Sequence, residues 1–337
     1  MAYFSVFQHP LSEEELLAYA HFYSLSREEG QEAIRSLLQL GILESSGRML
    51  CLRGDEPLSE IRAEREARAV KWQPRVVRSI CVLSQLPFLR GLSISGSLSK
   101  GTQDLDGDID FFVVTAPNRL WTARCFASLL LKVLPKSKKG NFCLNYFLPE
   151  DRLFIPDRTL FSATEVAFLK PVLNGDLFSA FFERNQWVKA FYPNWEPPSG
   201  EVPDLRYAFL QRMAEWPLSG AFGNLVESWV SRWYIRRLNR SMEALPKGRS
   251  DTEVRLGPKE YKGHTKGHHE KTRQKWQQRV DRLEADLGIR LIRWPWGESW
   301  ALRNAKVDSN HLSGPSAMAS LAVLPLRVTA RRVLQSR

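Results

Sequence analysis

The chain has no run of eighteen uninterrupted apolar residues, the length a membrane-crossing helix needs. Its opening, MAYFSVFQHPLSEEE, has no basic segment ahead of an apolar stretch. Both absences predict a soluble, cytoplasmic protein with no membrane partner. Cysteine is scarce. The four, Cys51, Cys81, Cys125 and Cys143, lack the paired spacing of a disulfide framework or a zinc site, so buried reduced thiols are expected. An excess of positive charge is lacking over residues 1–205, which carry a net −2, whereas residues 206–337 carry +13. A field of that sign attracts polyanions such as RNA, and it serves plain solubility equally well. Core material is not lacking: 43% of 337 residues are hydrophobic, enough for two or three domains.

Gly91 to Val114, GLSISGSLSKGTQDLDGDIDFFVV, brings together a glycine turn, a basic residue and alternating carboxylates. Leu89 to Ser95 reads as a short strand, broken by Gly96-Ser97, where the backbone permits close approach. Backbone N–H groups there, the hydroxyls of Ser95, Ser97 and Ser99, and the Lys100 ammonium would offer donors to a polyphosphate. Lys100 reads equally as a solvated surface lysine. Further on, Asp108-Ile109-Asp110-Phe111 leads into Phe112-Val113-Val114. A strand turns alternate side chains to one face, so Asp108 and Asp110 project together while Ile109 and Phe111 enter the other side. Neighbouring carboxylates that both stay ionised call for a cation, and oxygen ligands of this kind suit Mg²⁺ or Mn²⁺. An acidic, solvated loop is the plain alternative, and Asp104 and Asp106 read as loop residues.

An apolar residue, Gly-Ser, a short gap, then Asp-apolar-Asp-apolar resembles the DNA polymerase β-like nucleotidyltransferase superfamily, here through Ile94, Gly96, Ser97, Asp108 and Asp110. The SGSLSKG wording also resembles bacterial proteins that carry this domain with no assigned substrate. The likeness covers about a quarter of the chain. It implies an α+β fold with a small mixed sheet, transfer of a nucleoside monophosphate from a nucleoside triphosphate to an acceptor, and two acids holding divalent metal. The superfamily usually adds a third carboxylate from a later strand. Here the next strand, Asn141 to Leu148, has Asn145 at its centre, and an amide brings neither charge nor a base. Glu165, in the helix-like TEVAFL run, is the first substitute to consider, ahead of Asp151 and Asp157; each reads also as a surface or cap acid. A binding or regulatory protein that has lost the chemistry is therefore the alternative to an enzyme.

Residues 1–55 read as helix, helix and hairpin, resembling a winged helix-turn-helix that could bind DNA. Ser12 and Ser26 open the helices, and Ala33, Ile34, Leu37, Leu38 and Leu40 make a buried stripe. Glu28, Glu29 and Glu32 favour packing over phosphate contact. Residues 56–87 read as a linker helix that Pro74 bends or divides, with Arg62, Arg65 and Arg68 on a solvated face. The nucleotidyltransferase-like domain spans 88–200, its aromatic-rich end reading as core. A basic helical region follows over 201–287, its apolar faces running through Phe209 and Met213, then Leu225, Trp229 and Trp233. Residues 244–262 read as a loop, and 288–337 as a poorly ordered tail.

Overall fold

A computed structural model describes residues 1–55, 57–133, 142–202, 208–243, 253–264 and 268–288. The expected tail, from residue 289 on, lies outside the described residues. The short helix α1 (Ala2–Ser5) precedes α2 (Glu13–Ala18) and α3 (Arg27–Gln39). Ser12 and Ser26 open these helices as expected, each in a capping box: Ser12 Oγ accepts from Glu15 N while the Glu15 carboxylate accepts from Ser12 N, and Ser26 does the same with Glu29. The hairpin β1 (Leu43–Ser46) and β2 (Met49–Leu52) follows, turning at Gly47 with φ 61°. The stripe on α3 is narrower than expected. Ile34 is buried but Ala33 and Leu40 are exposed, as α3 packs chiefly against α2 and β1.

Helix α4 (Leu58–Leu83) runs through Pro74 undivided, so of the expected bend or division the division does not occur. The hydrogen bond that Pro74 cannot donate would go to the carbonyl of Val70, whose side chain is 63% exposed, so water can take its place. Arg62, Arg65 and Arg68 are not a solvated face. Arg62 is 5% exposed; its guanidinium grips both Glu15 oxygens at 2.6 and 2.8 Å, meets Glu66 at 2.7 Å and donates to the carbonyl of Pro10. Arg65 pairs with Asp104 at 2.7 Å and Arg68 donates to the carbonyl of Gln103 at 2.7 Å. Local spacing suggested short-range pairs, but most partners sit far away in sequence.

The main sheet has six strands: β3 (Leu89–Ser95), β4 (Ile109–Thr115), β5 (Phe142–Pro149), β6 (Lys170–Leu173), β7 (Glu253–Gly257) and β8 (Glu260–His264), in the order β6-β3-β4-β5-β8-β7. Only β4 and β5 run parallel, joined across α6 (Leu120–Val133); the other pairs are antiparallel. A four-residue turn of helix, α5 (Gly96–Ser99), follows β3, and α7 (Leu160–Ala167) and α8 (Gly175–Arg184) flank β6. Alternation along β4 separates two cores. Phe112 and Val114 pack with α7, α8 and the buried aromatics Phe178, Phe181, Phe191 and Tyr192, while Ile109, Phe111 and Val113 meet α4 and α6. This is a mixed sheet between helical layers, an α+β arrangement.

Beyond residue 201 come α9 (Ala208–Glu215), a 3₁₀ turn (Trp216–Leu218), α10 (Gly220–Glu243) and α11 (His268–Leu287). Two expectations are corrected there. The region is not wholly helical, because β7 and β8 complete the sheet by pairing with the free edge of β5. The apolar stripe expected inside instead faces out: Phe209, Met213, Leu225, Trp229 and Trp233 are 45–73% exposed. Glu227 sets this orientation. It is buried at the start of α6 and accepts from Trp121 N, Thr122 N and Thr122 Oγ at 2.6–2.8 Å, capping free N–H groups and turning Val226, Val230 and Tyr234 inward. Among the described residues no helix is long and apolar enough to cross a membrane. The four cysteines are free, but only Cys51 is buried; Cys125 and Cys143 are partly exposed and Cys81 is exposed.

Candidate active site

Ser95 and Asp110 stand opposite one another across β3 and β4, so the carboxylate emerges where the chain leaves β3 for the Gly96 turn. Gly96 has φ 67°, and a Cβ there would collide with Asp110 Oδ2. Only a glycine lets the backbone and this carboxylate share the space. Asp108 precedes β4 and is exposed; Asp110 is half-buried, on the face of the sheet that continues through Phe112 to α7.

That face brings in Glu165. Lys100 Nζ bonds Glu165 Oε1 and the Gly96 carbonyl, each at 3.2 Å, and lies over the Phe168 ring at 5.3 Å from its centre. Its side chain is 15% exposed, so it is not a solvated lysine. Burial, then the charges of Glu165 and Asp108, push the Asp110 carboxyl up to about 7, against the opposing pull of Asn145 and Lys100.

Asn145 reaches Asp110 beside an irregularity. The register of β4 on β5 passes from Phe111–Leu144 to Phe112–Tyr146, leaving Asn145 as the extra residue of a bulge. Asn145 is two residues past Cys143, which stands opposite Asp110, so alternation puts its amide on the face of Asp110, and the bulge lets Tyr146 follow opposite Phe112. Asn145 Nδ2 donates to Asp110 Oδ1 at 2.6 Å, while its Oδ1 accepts from Cys143 Sγ at 2.7 Å. It meets Asp110 as a donor, not as an oxygen ligand.

The polar side chains of the turn are differently placed. Ser97 Oγ donates to Gln103 Oε1 at 2.8 Å, and Ser99, 2% exposed, donates inward to the Gly96 carbonyl at 2.9 Å. Ser99 is therefore turned away from the carboxylates. Gln103 is the residue that sequence reasoning missed. Fully buried, it accepts from Ser97 and donates to the Asp108 carbonyl at 3.3 Å, tying the turn to the acidic segment. Gly107 leaves room for it. The available signal was an uncharged amide among loop acids, with Gly101 and Gly107 on either side.

The donors fit a hard divalent cation. Asp110 holds its proton near neutrality because burial, and then the like charges of Glu165 and Asp108, disfavour its ionised form, and a cation beside Asp108 and Asp110 would offset both. Among the described residues no group of three His, Cys, Asp or Glu side chains is arranged to enclose an ion. A cavity of about 50 Å³, lined by Ser95, Asn145, Glu165 and Lys262, lies alongside. No protein-family model, no curated protein and no solved structure matches the chain.

Proposed function

We propose that the chain is a metal-dependent nucleotidyltransferase that moves a nucleoside monophosphate from a nucleoside triphosphate to an acceptor. One observation carries this reading: Asp110 faces the Gly96 turn with Asp108 and Glu165 near enough to raise its proton affinity. Mg²⁺ or Mn²⁺ held by Asp108 and Asp110 would offset the phosphate charge. The Gly96–Ser97 backbone would lie against the triphosphate, and Lys100 would supply positive charge beside it. An acceptor hydroxyl would form the new bond at the α-phosphorus as the bond to the β-phosphate oxygen breaks, releasing pyrophosphate.

Asn145 supports a second reading, nucleotide binding without turnover, since it brings Asp110 a donor where a carboxylate would bring charge and a base. The two part on one measurement. Incubating the full chain with each triphosphate, Mg²⁺ and a panel of acceptors including RNA should release pyrophosphate, and Asp108→Asn or Asp110→Asn should lower the rate by at least ~100-fold. Release that persists in both variants would sink the enzymatic reading; stabilisation by nucleotide without release supports the second. The winged-helix-like order of the first 55 residues is read as a brace, because Glu15 is clasped by Arg62 of α4.

A further inference from the structure

We propose that α10 is the contact face of a symmetric dimer in which two copies of this chain pack α10 against α10, antiparallel, about Trp229. Phe222, Leu225, Trp229 and Trp233 are 62, 69, 65 and 45% exposed and, spaced three or four apart, form one stripe on the side of α10 away from Val230 and Glu227. Trp216, 79% exposed, adds to it at the neighbouring turn. With Phe209 and Met213 on α9, at about 200 Å² per side chain, the apolar area left open is on the order of 900 Å². A monomer commonly leaves a patch of about 300–600 Å², and a stable association covers about 800 Å² on each partner.

The order of residues along the stripe favours a second copy as the occupant. About a twofold axis at Trp229, Leu225 of one copy meets Trp233 of the other, and Phe222 meets Arg236. An arginine over an aromatic face is favourable, and Arg237 already lies 5.3 Å from the centre of the Trp233 ring within one copy. The axis also keeps like charges apart. Arg236 and its counterpart would be about 21 Å from one another, well beyond the screening length of about 8 Å at physiological salt. A parallel pairing would set Arg232, Arg236 and Arg240 against their own copies, which disfavours it.

Sedimentation equilibrium of the full chain should give about twice 38.8 kDa, with a dissociation constant no weaker than about 10 μM. Trp229→Glu sets two carboxylates together on the axis and should weaken association by at least ~100-fold, with an unchanged melting profile for the monomer because the residue is exposed. The axis itself is tested with Cys81→Ser as background. Trp229→Cys should cross-link under mild oxidation, whereas Leu225→Cys should not, its two copies being about 12 Å apart along the helix. A wild-type monomer, including one whose stripe is covered by residues 289–337 or by single-stranded RNA, overturns the proposal. So does a dimer that survives Trp229→Glu, or cross-linking that is equal at 225 and 229.

Discussion

Gly96 and Asp110 occupy the same few ångströms, so a change in one acts on the other. Gly96→Ala adds a Cβ at φ 67° against Asp110 Oδ2; a loss of about 1–3 kcal/mol in urea unfolding is expected, together with loss of any Mg²⁺-induced rise in melting temperature. The proton on Asp110 makes a second prediction. Its folded pKa of about 7 stands above the ordinary 3.8, so between those values the folded chain holds a proton that the unfolded chain has lost. Metal-free stability should thus fall as pH rises from about 4 through 7, by an amount on the order of 2–3 kcal/mol after allowing for partial exposure. Asp110→Asn should remove that slope when urea midpoints are compared at pH 5 and pH 8. Below pH 7 a cation must displace the proton, so the Mg²⁺-induced shift should shrink at pH 6. At this scale much of the candidate site's geometry was legible in sequence, since Gly96, Asp108 and Asp110 are set by local turn and strand periodicity. Glu165 and Gln103 were harder to place, because one arrives on a helix across the sheet and the other acts through backbone and side-chain bonds that spacing does not encode.

Helix α4 shows the same limit among elements. Charge spacing and helix propensity are local and gave its extent, but the work of its arginines depends on partners that only the fold supplies. Arg62→Ala would strand Glu15, which is partly buried, and break the clasp between α4 and the N-terminal helices. A loss of about 3–5 kcal/mol is expected in chemical denaturation, with a smaller loss for Glu15→Gln, and a double-mutant cycle should show strong coupling. Burial holds His21 down to about 3, against the ordinary 6.5. The unfolded chain therefore takes up a proton that the folded chain refuses, and stability should fall by up to about 1.4 kcal/mol per pH unit as pH drops from 6.5 toward 3. His21→Phe keeps a ring against Tyr192, 5.0 Å away, and should flatten that part of the pH–stability curve. Helix α10 was visible as a helix, yet its buried side was misassigned. It is apolar on two faces, and the bonds of Glu227 to the start of α6, absent from any periodicity, decide which one turns inward.

For the whole molecule, what the sequence concealed was closure. The strands β7 and β8 are five residues each, and next to Gly and Pro they read as loop. They become strands because β5 has an open edge: Tyr146 pairs with Lys262 and Phe147 with Tyr261, while Trp121 Nε1 donates to the Gly257 carbonyl at 3.0 Å. Helix α11 then returns to the beginning of the chain, through Arg279 on Asp55 and contacts with α1. A chain ended at Glu243 should therefore lose cooperative unfolding and aggregate, as followed by light scattering and tryptophan fluorescence. The same closure sets a delay during synthesis. Tyr146 bonds Glu260, 114 residues later, so at about 5–20 residues per second a newborn chain leaves β5 without its neighbour for roughly 6–23 s, an interval in which a chaperone that shields bare strand edges would find its substrate.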